Sequence, residues 1–294
     1  MAQPALPAWH LTEQPVVRAQ VALKTSRSRF PSARFSGSAA LATFAAQLAI
    51  RRCAKGRAWR SESRILRAAA DFSENKMLHA MLHVRDLDDS LAFYEALGLR
   101  TLSCNRRPSG GGTAFVGPGK LRDKENFALE LASAKDPDKP LQQGGFQGLV
   151  ISGGPGEKVD PNGYPMSFSE SGQQGSVLSL RLQTSNLRDA TDFYEQLGMK
   201  VVGKDAGTAS LAYASGPQTM LTLKQIASEV GPSTGFDHLV VSTADVEDAT
   251  SALETVGVKV LMPPTNMFGM NIAGFVDCDG YKIYLVKESD FQQD

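Results

Sequence analysis

The chain has 294 residues, 42% hydrophobic and 21% charged, enough for one or two domains with real cores. Its 31 basic and 31 acidic residues cancel, so the basic surplus expected of a nucleic-acid-binding protein is missing. The cysteines, Cys53, Cys104 and Cys278, lack metal-type spacing, and their odd number argues against a disulfide framework.

The first 60 residues stand apart. Glu13 is their single acidic residue, set against Lys and Arg from Arg18 to Arg60, with abundant Ser and Ala. A basic, hydroxylated, acid-poor leader has the composition of an organelle transit peptide. We assign residues 1–74 to such a leader, directed to the chloroplast in preference to the mitochondrion; a basic tail without fixed structure is the plainer reading. Ser36–Ile50 is apolar but alanine-rich, and shorter than the roughly 18–20 apolar residues that cross a bilayer. No membrane partner is expected.

From residue 77 the sequence copies itself. Met77–Leu102 (MLHAMLHVRDLDDSLAFYEALGLRTL) recurs as Val177–Val202 (VLSLRLQTSNLRDATDFYEQLGMKVV). A second signal, Asp160-Pro161-Asn162-Gly163-Tyr164, is echoed by Asp277-Cys278-Asp279-Gly280-Tyr281. A unit with one kind of start and one kind of finish implies a pseudo-symmetric fold with clefts between related parts.

In chain order the body reads as four βαβββ-like units of an α+β fold. Unit one opens with strand Leu78–Val84. A helix follows, capped by Asp86, whose carboxylate can accept from the free amides of the first turn, and stopped at Gly98. Strands near Thr101–Cys104, Thr113–Val116 and Phe127–Leu131 complete it. Unit two has a first strand, Phe146–Ser152, and a finishing turn with a short strand, Asp160–Phe168. Only Gly153–Val159 lies between them, too short for a helix and two strands. The echoed turn favours a degenerate unit over a Gly/Pro/Ser-rich linker. Unit three repeats the plan over Val177–Leu223, with Asn186 as cap and Gly198 as stop. Unit four runs from strand Phe236–Ser242 through helix Asp245–Val256, stopped at Gly257, to strands Asn271–Val276 and Tyr281–Val286.

The DLDDSLAFYEALGL segment, FALEL (127–131), GFDHLVV (235–241) and DCDGYKIYLV (277–286) resemble glyoxalase I and, more broadly, the vicinal-oxygen-chelate superfamily, over roughly residues 77–288. The resemblance implies tandem βαβββ units of the glyoxalase/bleomycin-resistance/dioxygenase fold, the second degenerate. It also implies an N-terminal domain over 75–172 and a C-terminal domain over 173–290. In that family a divalent metal sits in a cup between paired units, held by His and Glu from each. In a doubled chain, unit one pairs with unit four, and unit two with unit three.

Carried onto this sequence, the resemblance assigns His79, Glu130 and His238 to three ligand positions. Imidazole and carboxylate are good ligands for Zn or Ni. The fourth position carries Tyr284 where the family has a glutamate that also shuttles protons. A phenol with an ordinary pKa near 10 is a poor base at neutral pH, which leaves Glu130 as the candidate catalytic base. His83 stands where the family holds a glutathione carboxylate with Arg. Pro263–Met270 stands where a loop closes over the cup; it offers Asn266, Met267, Phe268 and Met270, an apolar lid, with Met270 as a substrate contact. After FALEL the family's glutathione-contacting Asn is replaced by Ala134. The other pairing offers Ser179, Thr222, Ser167 and Gln147 (or Phe146 with the register slipped by one), a set that makes no strong metal site. One site per chain is therefore expected, and a monomer suffices to build it.

Two functions follow. One is a metal-dependent lactoylglutathione lyase that isomerises the methylglyoxal–glutathione hemithioacetal, with no organic cofactor. The other is a catalytically eroded module that keeps the fold and a small-ligand cup. An Fe(II) extradiol-type dioxygenase needs a glutamate at Tyr284 and is disfavoured.

Overall fold

The computed structural model describes residues 71–291, apart from 109, 120–125, 217–218 and 268. Residues 1–70 of the expected leader, with Cys53, and Phe268 of the expected lid lie outside the described residues; residues 71–74 belong to the folded body instead, because Phe72 packs against its core. Among those described, no helix is long and apolar enough to cross a membrane.

Unit one forms β1 (Lys76–Val84), α1 (Leu87–Ala96), β2 (Arg100–Arg106), β3 (Gly112–Gly117) and β4 (Ala128–Ser133). Unit two forms β5 (Phe146–Ser152), β6 (Gly156–Val159) and β7 (Pro165–Ser169). Unit three forms β8 (Val177–Thr184), α2 (Leu187–Gln196), β9 (Lys200–Asp205), β10 (Thr208–Ala212) and β11 (Met220–Gln225). Unit four forms β12 (Phe236–Thr243), α3 (Val246–Thr255), β13 (Lys259–Met267), β14 (Met270–Val276) and β15 (Lys282–Lys287), and a one-turn helix, α4 (Glu288–Phe291), follows it. Unit two thus lacks the helix and one strand. A single short strand, β6, fills the stretch that was too short for both.

The three long helices start as their sequences dictate. Asp86, Asn186 and Asp245 are N-caps whose side chains accept from the amides of Asp89, Asp189 and Asp248, satisfying donors that the first turn leaves free. The duplicated helices end at Gly98 and Gly198, with φ of +92° and +94°, a left-handed stop that a side chain disfavours. Leu87, Leu91 and Tyr94 of α1, and Leu187, Phe193 and Tyr194 of α2, point into the core.

The sheets cut across the halves. One has the order β13-β14-β15-β12-β1-β4-β3-β2, joining units one and four; the other, β6-β7-β5-β8-β11-β10-β9, joins units two and three. At each centre two first strands run antiparallel: β1 with β12, and β8 with β5. Phe146 of one sheet stacks on Phe236 of the other, centroids 5.4 Å apart and 3° from parallel.

The repeated turns tie neighbouring units together. Asp160 accepts from Tyr94 Oη of α1 (3.2 Å) and from the amides of Asn162 and Tyr164. Asp277 accepts from Tyr194 Oη of α2 (3.1 Å) and from the amides of Asp279 and Tyr281. Burial raises both carboxyls, that of Asp277 to about 6 with the Asp279 charge adding to it. The echo seen in sequence is a matched pair of docking turns, each holding a helix of the preceding unit.

Candidate metal centre

The centre of the first sheet presents a cup. On β1, His79, Met81 and His83 share a face by strand alternation. Parallel pairing with β4 sets Met81 opposite Glu130, and antiparallel pairing with β12 sets Met81 opposite His238. Three side chains distant in sequence therefore converge. His79, Glu130 and His238 are all buried, and each offers a ligand atom within 4.8 Å of the others.

Glu130 gives this cluster its chemical meaning. It is 1% exposed, and among the described residues neither carboxylate oxygen accepts a well-formed hydrogen bond. His79 Nε2 lies 3.3 Å from its Oε2. A buried carboxylate this poorly satisfied costs several kcal/mol unless a cation or donor arrives. Burial lowers the pKa of His79, against the pull of Glu130 and with a smaller push from His238. A neutral imidazole is the form that binds metal. Two nitrogens and one carboxylate oxygen suit a divalent ion such as Zn or Ni. Donors around one tetrahedral ion stand roughly 3.3–3.6 Å apart, so the residues, with ligand atoms within 4.8 Å of one another, fit after an inward shift.

Tyr284 occupies the fourth position. It pairs with Val240 on β12 and with Gly274 on β14, and its ring meets the His238 ring edge-on, centroids 4.9 Å apart. A Cβ on Gly274 would come within 2.7 Å of the Tyr284 ring, so the glycine makes room for the phenol. Burial, with the Asp237 charge adding to it, pushes the phenol up to about 12; it is neutral at pH 7. Phe115 meets the His79 ring edge-on at 5.1 Å.

The expected lid differs. Pro263–Met267 is not a loop but the end of strand β13, and it forms an edge hairpin with β14 in which Met267 pairs with Met270. Proline is tolerated there because an edge strand leaves one row of amides unpaired. Met270 sits half-buried at the hairpin tip. His83 is at the cup's edge, its Nε2 4.0 Å from Asp237 Oδ1; burial lowers its pKa, against the opposing pull of Asp237.

Register corrects the second pairing. Arg181 faces Gly148 on β5 as Met81 faces His238 on β12. The unit-two counterpart of His238 is therefore Gly148, neither Gln147 nor Phe146. An extra residue in each first strand, Asp237 and Gln147, displaces the count by one. Ser179, Thr222 and Ser167 stand where expected. Arg181 is a residue that sequence reading missed. Its Nη2 donates to Ser167 Oγ (2.6 Å) and to the Leu149 carbonyl (3.1 Å), and among the described residues no carboxylate lies within ion-pair distance of it.

Two sheets of paired βαβββ units, one centred on a His–Glu–His group that could hold a metal ion, define a fold of the vicinal-oxygen-chelate type. The family model of the Glyoxalase/Bleomycin resistance protein/Dioxygenase superfamily matches residues 176–285. A lactoylglutathione lyase of Oryza sativa subsp. japonica is 30% identical over 267 residues, covering 74% of this chain and 91% of that protein. A lactoylglutathione lyase of Arabidopsis thaliana is 24% identical, covering 74% and 93%. The crystal structure of glyoxalase I from Zea mays superposes with a TM-score of 0.66 at 27% identity, over 74% of this chain and 94% of that one. The chain belongs to the glyoxalase I-like branch of this superfamily, in its doubled-unit form.

Proposed function

We propose that the chain is a metal-dependent lactoylglutathione lyase, which converts the hemithioacetal of methylglyoxal and glutathione into a thioester. The observation that carries this reading is the buried carboxylate of Glu130 set between two imidazoles, with His79 Nε2 3.3 Å from its Oε2. His79, Glu130 and His238 would hold the ion, Zn or Ni, and Tyr284 would border it. A bound divalent ion supplies Lewis-acid stabilisation of charge that develops on two adjacent substrate oxygens.

The remaining work falls to the chain. Glu130 takes the proton from the carbon that bears sulfur and returns it to the neighbouring carbonyl carbon. A second proton passes between the two oxygens, so the isomerisation balances. Tyr284, held as a neutral phenol, donates a hydrogen bond in place of acting as a base. His83, at the cup's edge, and Met270, at the hairpin tip, are the substrate contacts we assign.

The test is metal content after purification, followed by a glyoxalase assay in added Ni or Zn. About one ion per chain with thioester formation supports the reading. A metal-free protein that gains no activity overturns it, and favours the second reading, a small-ligand module of the same fold. Tyr284 in place of a fourth carboxylate is the observation on that side.

A further inference from the structure

Both first strands of the metal-centre sheet carry a bulge just before their histidine. Pairing passes from Met77–Val241 directly to His79–Val240, which leaves Leu78 as an extra residue. It passes from Met81–His238 to Leu82–Phe236, which leaves Asp237 as another. A regular strand would send Asp237 and His238 to opposite faces. A bulge opposes two residues to one and re-aims their side chains. The result is a bond between neighbours: Asp237 Oδ2 lies 2.6 Å from His238 Nδ1. The other oxygen accepts from Lys282 Nζ at 3.0 Å, and His83 Nε2 stands 4.0 Å from it. The pairing of β15 with β12 puts Lys282 beside His238. At the matching bulge His79 follows Leu78, an apolar residue, and lies against Glu130 and the edge of Phe115.

We propose that Asp237 is a positioning residue: it holds the proton of His238 on Nδ1, so that Nε2 presents its lone pair to the cup, with Lys282 anchoring the carboxylate. The inference rests on the metal-site reading above and extends it to a residue outside the ligand set. An imidazole ligand is set by the hydrogen bond that its other nitrogen makes, and removing such a partner weakens metal binding.

The geometry also says what Asp237→Asn should do. The amide has one acceptor. Lys282 draws that oxygen to itself, so the NH2 group faces His238 Nδ1. The ring then keeps its proton on Nε2, the nitrogen that the metal needs. Lys282→Met in the same chain releases the amide to turn over and accept from Nδ1 again.

The experiment uses the full chain with 15N-labelled histidine. Without metal, the ring-nitrogen spectrum of the parent shows His238 protonated on Nδ1; in Asp237→Asn that pattern is lost. Titration with Co2+ shows affinity weakened about 10–100-fold in Asp237→Asn, and part of the loss recovered in Asp237→Asn/Lys282→Met and in Asp237→Glu. An unchanged melting temperature separates this from a folding defect. An Asn variant with the parent's ring protonation and the parent's Co2+ affinity overturns the proposal. A parent that binds no Co2+ overturns the metal reading instead, and the nitrogen spectra alone then decide the role of Asp237.

Discussion

Where β1 meets β12 and β4, three candidate ligand side chains line a cup; where β8 meets β5 and β11, the same backbone positions carry Ser179, Thr222 and Gly148. The bulges match as well, with Leu78 and Asp237 in one sheet and Leu178 and Gln147 in the other. What differs is charge. The first cup buries an anion, Glu130, against the imidazoles of His79 and His238. The second holds a hydroxyl chain, with Ser179 to Thr222 at 2.9 Å and Thr222 to Ser210 at 3.2 Å, and carries its own cation in Arg181. One backbone design has thus been balanced in two ways. Loss of the carboxylate and gain of a guanidinium leave the second cup nothing to offer a metal.

The sharpest way to break this contrast is to remove the anion. Glu130→Gln keeps the shape of the side chain and deletes its charge. Activity in added Ni or Zn should fall by roughly 10²–10⁴-fold, and metal per chain should fall with it. The metal-free variant should melt no lower than the parent, because a poorly satisfied buried carboxylate has been neutralised. Full retention of metal and turnover would place the chemistry outside this cup.

The second prediction concerns why the other cup cannot simply be rebuilt. Gly148 sits at φ +102°, and a Cβ there would fall 1.9 Å from the Pro165 carbonyl oxygen. Gly148→His should therefore cost about 3–5 kcal/mol, from left-handed strain plus a clash with backbone. Urea unfolding measures it. A histidine variant as stable as the parent would mean that the second bulge relaxes freely and that chemistry alone emptied the site.

The third sharpens the first cup itself. Tyr284→Glu restores a second carboxylate and uncovers Gly274. Metal affinity should rise tenfold or more, about 1.4 kcal/mol, and lyase activity with it. Lost ring packing against His238 and Gly274 should lower stability by about 1–3 kcal/mol. Tighter metal without faster turnover would show that the missing base is not the limiting defect.

Much of this was readable beforehand, for a physical reason. Duplication fixes equivalent strand positions, so His79 maps onto Ser179 without any structure. His238 and Glu130 stand out because strong ligand types sit in apolar strands. Register was not readable. Alternation assumes a regular strand, and the bulges at Asp237 and Gln147 break it; this misplaced the Gly148 position and hid the bond between Asp237 and His238. Arg181 was missed for a related cause. Its counterpart is the apolar Met81, so the resemblance gave no reason to look there. The lid was misread because the resemblance carried a loop onto Pro263–Met270, whereas this chain extends β13 to Met267, an edge strand that tolerates two prolines.

Arg181 supplies the smallest expected effect and the most direct check on whether the cups are independent. Arg181→Met keeps the bulk of the side chain and removes its charge. The Leu149 carbonyl and the Ser167 hydroxyl lose a donor, each a bond of modest net worth, while a cation without a carboxylate partner among the described residues is also removed. The two changes oppose, so stability should move by no more than about 1 kcal/mol. Metal content and turnover should stay at the parent level, because Arg181 touches no residue of the first cup in any contact described above. Altered metal content or turnover in this variant would show that the second cup, although empty of ligands, is coupled to the first through the paired sheets.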